Sequence, residues 1–170
     1  MAFASIVLKP RVIEQGGAVV RETSYVVNHA AADWKAGDLL RLNSNGTVEL
    51  VADAASQKVL GMALEDVDVS ASEGAFAKVL VFAEDTVLEA QYNSASAPTQ
   101  ALVGDQVDMS CVSGAFAVDT TTSNAIVEIT DIWKNSNWFR TGDNEAGAYG
   151  LVRFKILPAA LAAAANTASS

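Results

Sequence analysis

Residues 37–65 read GDLLRLNSNGTVELVADAASQKVLGMALE. Leu40 and Leu42 alternate with Arg41, and Val48 and Leu50 alternate with Glu49. A period of two sends successive side chains to opposite faces, so both runs are strands of a half-buried sheet. Asn45-Gly46 between them supplies the positive backbone angles that a tight hairpin turn needs. After a loop, a third strand begins at Lys58. None of these side chains is equipped for chemistry, and what the segment decides is an all-β architecture.

The same grammar continues outward. Ser5 to Leu8 and Arg11 to Ile13 are extended segments separated by Pro10, which cannot donate to a ladder and suits an arm or an edge. Gly16-Gly17 breaks the chain before a strand over Val19 to Val27, which leads into a single helical turn at His29–Asp33. Strands follow at Ala77 to Phe82 and Asp85 to Tyr92, with Glu84-Asp85 at a turn. Asn93 to Gln100 is a small, polar loop. Val107 to Val112 and Phe116 to Val118 flank a second hairpin turn at Ser113-Gly114, and Ile126 to Trp133 follows. In the last strand Val152, Phe154 and Ile156 share one face, Arg153 and Lys155 the other, and the sheet ends at Pro158. The expected fold is a single compact β-barrel or β-sandwich, β-tulip or jelly-roll-like, with little helix. Residues 1–17 form an extended arm, 18–158 the β domain and 159–170 an alanine-rich tail. Thr167 to Ser170 read as a frayed end, and the rest of the tail is open between fraying and ordering against a neighbouring subunit.

Ala36-Gly37-Asp38, Val103-Gly104-Asp105 and Thr141-Gly142-Asp143 recur as a small or apolar residue followed by Gly-Asp. Glycine permits a bend and aspartate can bond its own backbone two residues on, so the pair starts a strand well. An internal duplication of a small β unit would produce such a recurrence. With only three residues shared, coincidence is the expectation.

With 170 residues, 51% of them hydrophobic, the chain can bury around two-thirds of its unfolded surface in one domain. A single cysteine, Cys111, excludes an internal disulfide framework and reads as a small buried hydrophobe, consistent with a reducing cytoplasm. The N-terminus carries its basic residues after its short apolar run, the wrong order for a secretory signal, and no run is long enough to span a bilayer. Asn45-Gly46-Thr47 fits a glycosylation acceptor but is expected to be only a turn. The net charge of −9 argues against nucleic acid as a partner. It is unevenly spread: +1 over residues 1–32, −10 over 33–119 and zero over 120–170. Either the ends dock on an acidic partner while the middle stays soluble, or the acidity serves solubility alone.

Chemistry is sparse. His29, the single histidine, has no nucleophile beside it; Asp33, four residues on, could orient it only in a helix, so a structural or solvated role is expected. One histidine and one cysteine cannot build a zinc site, and no phosphate-cradling glycine motif occurs. Glu65, Asp66 and Asp68, and the pair Glu84-Asp85, are the only carboxylate clusters with a conceivable hydrolytic or calcium-binding use. They lack regular ligand spacing and read as solvated turn residues. No catalytic, cofactor-binding or metal-binding residue is expected, and no cofactor. One aromatic cluster stands out: Trp133, Trp138 and Phe139 around a polar turn, followed by Arg140. Such residues cap a core, anchor a subunit interface, or stack on sugar rings, and all three readings are open.

The run AGDLLRLNSNGTVELVADAASQKVLGMALEDV, then AKVLVFAEDTVLEAQ and ALVGDQVDMSCVSGAFAVDTTTSNAIVEITDI, resembles bacteriophage head decoration (cement) proteins and related small phage structural proteins. Gly-Asp enters a strand, Asn-Gly makes a hairpin, a strand of the type V-x-G-x-A-x-E follows, and a later Gly hairpin leads to a Val-Asp-Thr-Thr strand end. The resemblance covers roughly residues 36–132 and does not include the loop from Trp133 to Trp138. It implies a non-enzymatic protein, commonly a homotrimer, on the outside of a phage head, made in the host cytoplasm. There it would clamp neighbouring major capsid proteins, with no nucleic-acid or membrane partner. Phe3, Ile6, Leu8, Lys9, Pro10, Arg11 and Ile13 are the candidate capsid-contact arm, suited to adding a strand to a partner's sheet edge, with avidity multiplying its affinity. Trp133, Trp138, Phe139 and Arg140 are the candidate subunit or ligand interface. The alternative is a β-sandwich binding module, of the fibre or carbohydrate-recognition kind, using the Trp133–Trp138 loop. A hydrolase using Glu65 or Glu84 is a remote third reading.

Overall fold

Alternating apolar and polar residues become strands throughout the computed structural model, which describes residues 11–14, 21–28, 31–51, 58–71, 75–94, 96–112, 115–132 and 150–162. In chain order these are β1 (Arg11–Glu14), β2 (Arg21–Val26), β3 (Leu39–Leu42), β4 (Val48–Leu50), β5 (Val59–Ala63) and β6 (Phe76–Val81). They continue with β7 (Val87–Tyr92), β8 (Gln106–Val107), β9 (Met109–Val112), β10 (Ala115–Val118), β11 (Val127–Ile132) and β12 (Leu151–Ile156). Among the described residues helical backbone is limited to three single 3-10 turns, at Val69–Ala71, Gln100–Leu102 and Pro158–Ala160. The fold is all-β, made of a five-stranded and a seven-stranded sheet. The expected helical turn at 29–33 falls partly outside the described residues, and residues 31–33 are irregular.

The five-stranded sheet runs β2-β6-β5-β3-β4, with every neighbour antiparallel. Its outer strands meet where Val27 pairs in parallel with Val48 and the Asn28 N–H donates to the Val48 carbonyl at 3.0 Å, so the sheet curls into a small ring. Val27, Leu40, Val48, Leu60, Ala77 and Val79 pack together with the fully buried Trp34. Glu49 fastens the seam: its carboxylate meets the Arg41 guanidinium at 2.6 Å and accepts from the Asn43 side chain at 3.3 Å and from the Asn28 side chain beyond β2. Glu49→Ala should therefore cost about 2 kcal/mol, read as a lower urea midpoint, because charge-assisted bonds to a largely buried carboxylate are lost together. A midpoint unchanged by the substitution would mean that Glu49 does not hold the seam.

The larger sheet closes differently. Its order is β8-β11-β12-β7-β10-β9, with β1 beside β7. Only Asp108 separates β8 from β9, so one strand bent at Asp108 pairs by its first half with β11 and by its second with β10. The expected continuous strand from Val107 to Val112 is thus split by the closure of a ring. Val107, Met109, Phe116, Leu88, Ile129 and Phe154 lie in its core, which Leu39, Val59, Met62 and Phe82 of the smaller sheet join.

The two sheets repeat one topology. Taking β8–β9 as a single strand, β7-β12-β11-β8/β9-β10 corresponds to β2-β6-β5-β3-β4, antiparallel at each step. Each ring is closed by a parallel pairing of its first and third strands, Tyr92 with Val118 in one and Val27 with Val48 in the other. Backbone hydrogen bonds at the closures and turns match. Asn93 N–H donates to Val118 as Asn28 does to Val48, and Leu157 N–H to Ile126 as Phe82 does to Leu60. Gly37 and Gly104, at φ +89° and +95°, each donate across to the partner strand (Ala63 and Ile129, both 2.8 Å), which donates back to the following aspartate's carbonyl. Coincidence was the expectation for the first two Gly-Asp pairs; they are equivalent turns of a structural repeat. The third, Gly142-Asp143, lies outside the described residues.

Two ends of the body are wider than residues 18–158. β1 pairs with β7, and at the other terminus Leu161 pairs with Val59 while the Ala162 N–H donates to the Val59 carbonyl at 2.8 Å. Each terminal segment thereby docks on the ring to which it is not adjacent in sequence. Ala160 and Ala162 are buried, so this part of the tail belongs to the core.

In the opening hairpin, the β3–β4 connection has five residues, Asn43–Thr47, with Asn43 N–H donating to Thr47 and Gly46 N–H to Asn43. The left-handed position is Gly46 at φ +78°. The V-x-G-x-A-x-E strand has a reason at each position. A Cβ on Gly61 would sit 2.0 Å from the Leu80 carbonyl oxygen of β6. Ala63 is buried, and Glu65 accepts from the Lys78 backbone N–H at 2.9 Å.

Candidate functional site

The larger ring carries the elements from which both sequence-level sites spring. Strand β7 has β12 along one edge. Its other edge is shared: β1 runs antiparallel along Val87–Glu89, and β10 runs parallel along Gln91–Tyr92. β1 thus occupies a slot in line with β10. Val12 lies opposite Leu88 and packs against the core, and the half-buried Ile13 sits at a register shift between Val12 and Glu14. Of the candidate capsid-contact residues, Arg11 and Ile13 lie in β1, where Arg11 pairs with Glu89 and Ile13 falls at the register shift.

Acidic and basic residues alternate in register across these strands. Register places Asp131 opposite Arg153, Arg153 opposite Glu89, and Glu89 opposite Arg11. The Arg153 guanidinium lies 3.6 Å from the Glu89 carboxylate and 3.8 Å from that of Asp131. The Glu89 side chain is 1% exposed, so the Arg153 cation offsets part of the cost of burying its carboxylate. Sequence reading missed this alternation; the available signal was an acid in the middle of the apolar run Val87–Tyr92.

Phe3, Ile6, Leu8, Lys9 and Pro10 lie outside the described residues, as do Trp133, Trp138, Phe139, Arg140 and His29. What is described of the aromatic loop is its stem: Ile132 at the end of β11 pairs with Val152 near the start of β12.

The carboxylates singled out in the sequence act as loop ties. Asp33 accepts from the Val69 N–H, Asp38 from Lys35 and Asp66 from Ala36, each at 2.8 Å. Asp68 accepts from Ser70 at 3.1 Å. These bonds hold two loops together beside Trp34, whose backbone pairs with Val67. Glu84 and Asp85 are exposed turn residues. Among the described residues no three His, Cys, Asp or Glu side chains converge as a metal would require. Cys111 is half-buried rather than buried, and its thiol donates to the Val51 carbonyl at 3.0 Å, linking the two sheets. Burial, then the carboxylates of Asp105 and Asp119, push the Tyr92 phenol above its ordinary range, keeping it neutral. An open cavity of about 330 Å³ lies between Lys58, Ser123, Asn124 and Ala159, with no carboxylate or histidine in its lining.

No protein-family model matches the chain, nor does any curated protein.

Proposed function

We propose that this chain is a structural, non-enzymatic protein of the capsid decoration kind. It sits on the outside of a phage head, assembles with copies of itself, and holds neighbouring major capsid proteins together. The observation that carries this reading is the employment of the polar residues: the carboxylates of Asp33, Asp38, Glu49, Glu65, Asp66 and Asp68 brace loops and strands. A body braced in this way, with two rings joined through a shared apolar cluster, suits a load-bearing part. The resemblance over residues 36–132 supports the same reading.

The test separates the arm from the body. Deleting residues 1–10 leaves β1 on β7 and should abolish binding to expanded, DNA-free phage heads stripped of their own decoration, followed by cosedimentation. A full-length protein that ignores such heads overturns the reading. If Trp138→Ala instead removes binding on a glycan array, the carbohydrate-recognition alternative takes its place.

A further inference from the structure

The repeat permits the two rings to be compared residue by residue, and exposure along the first strand and its partner differs sharply. By register, β2 residues Thr23, Ser24 and Val26 stand where β7 has Leu88, Glu89 and Gln91, and Phe76 stands where β12 has Leu151. In the larger ring all four positions are buried. In the smaller ring all four are exposed, Val26 at 36% and Phe76 at 65% against 6% for each of Gln91 and Leu151. Val26 and Phe76 are directly opposed, and Leu64, 37% exposed, follows β5 and donates its N–H to the Lys78 carbonyl, two residues along β6 from Phe76. The edge that β1 fills on β7 corresponds on β2 to Glu22–Ser24, along which no described strand runs.

We propose that this β2 edge, with the apolar patch of Val26, Phe76 and Leu64, is the docking site for the N-terminal segment of a second copy, Phe3–Leu8. That segment would add to β2 as β1 adds to β7. An exposed edge is a template for one more strand, and an apolar patch beside it gives the strand something to cover. The segment fits on three counts. It immediately precedes the strand that fills the equivalent slot. Its residues, Phe3, Ile6, Val7 and Leu8, suit an extended apolar strand. The adjoining Lys9 complements a body with a net charge of −10 over residues 33–119. The linkage is head to tail, and it closes into a ring when the rotation between copies permits. The proposal deepens the self-association part of the decoration reading and rests on it.

The test needs no capsid. Full-length protein should sediment as an oligomer, and protein lacking residues 1–8 as a monomer. In a Cys111→Ser background, Ser24→Cys copies mixed with copies carrying Ser5→Cys, Ile6→Cys or Val7→Cys should give an inter-chain disulfide for at least one pairing. Phe76→Ser, at a solvent-exposed side chain, should weaken association about ten-fold or more. A monomeric full-length chain, an oligomer that survives the truncation, or a disulfide formed only within one chain overturns the proposal. So does an association constant unmoved by Phe76→Ser. Failure of the decoration reading shows up separately, as oligomers that form normally and do not bind heads.

Discussion

Gly61→Ala should be among the most damaging single changes available in this chain, costing about 3 kcal/mol or more. The new methyl would lie 2.0 Å from the Leu80 carbonyl oxygen and 2.8 Å from its carbon. These are backbone atoms of the adjacent strand, so no side chain can swing away, and β5 and β6 must separate along a ladder that runs from Gly61–Val81 to Ala63–Val79. Gly46→Ala is the matched control. Nothing lies within 4 Å of its would-be Cβ, and its φ of +78° carries only the left-handed penalty of about 1–2 kcal/mol. Urea titrations of the two variants, with m-values compared, distinguish steric from conformational cost. A loss below that of Gly46→Ala would show that the strands do not approach as closely as described.

Arg153→Met is expected to cost about 3–5 kcal/mol, the range for removing one member of a buried ion pair. It takes the guanidinium from a carboxylate that is 1% exposed. Adding Glu89→Leu should recover most of the loss, because a matched apolar pair needs no counter-charge. The repeat supplies an internal control: Lys78 is the register equivalent of Arg153, lies opposite the exposed Ser24, and is itself exposed. Lys78→Met should change stability by less than about 0.5 kcal/mol. Equal effects at 78 and 153 would contradict the picture of one covered strand pair and one open one.

Sequence reading located the strands well where local pattern decides them. Period-two runs and Gly46 place β3, β4 and β5 within a residue or so, and the alternation at 152–156 predicts which side chains of β12 are buried. It failed where closure decides. The bend at Asp108 exists because one strand must serve both ends of a ring, and no local signal marks it. The repeat was illegible for a different reason. Equivalent positions hold Thr23 and Leu88, Ser24 and Glu89, Phe76 and Leu151, so the likeness survives in backbone hydrogen bonds rather than side chains. Of the contact residues read from the sequence, Arg11 and Ile13 fall in β1, and the remainder lie outside the described residues.

The crossed placement of the termini bears on how this body comes apart. Residues 11–14 lead into the first ring but are held by the second, and residues 161–162 trail the second ring but are held by the first. Opening either ring releases a segment joined to the other, β1 from the second and Leu161 from the first, and exposes the apolar residues they share. The pair is accordingly expected to unfold in one cooperative transition in place of two, and a pull applied through residues 11 and 162 should load both rings simultaneously.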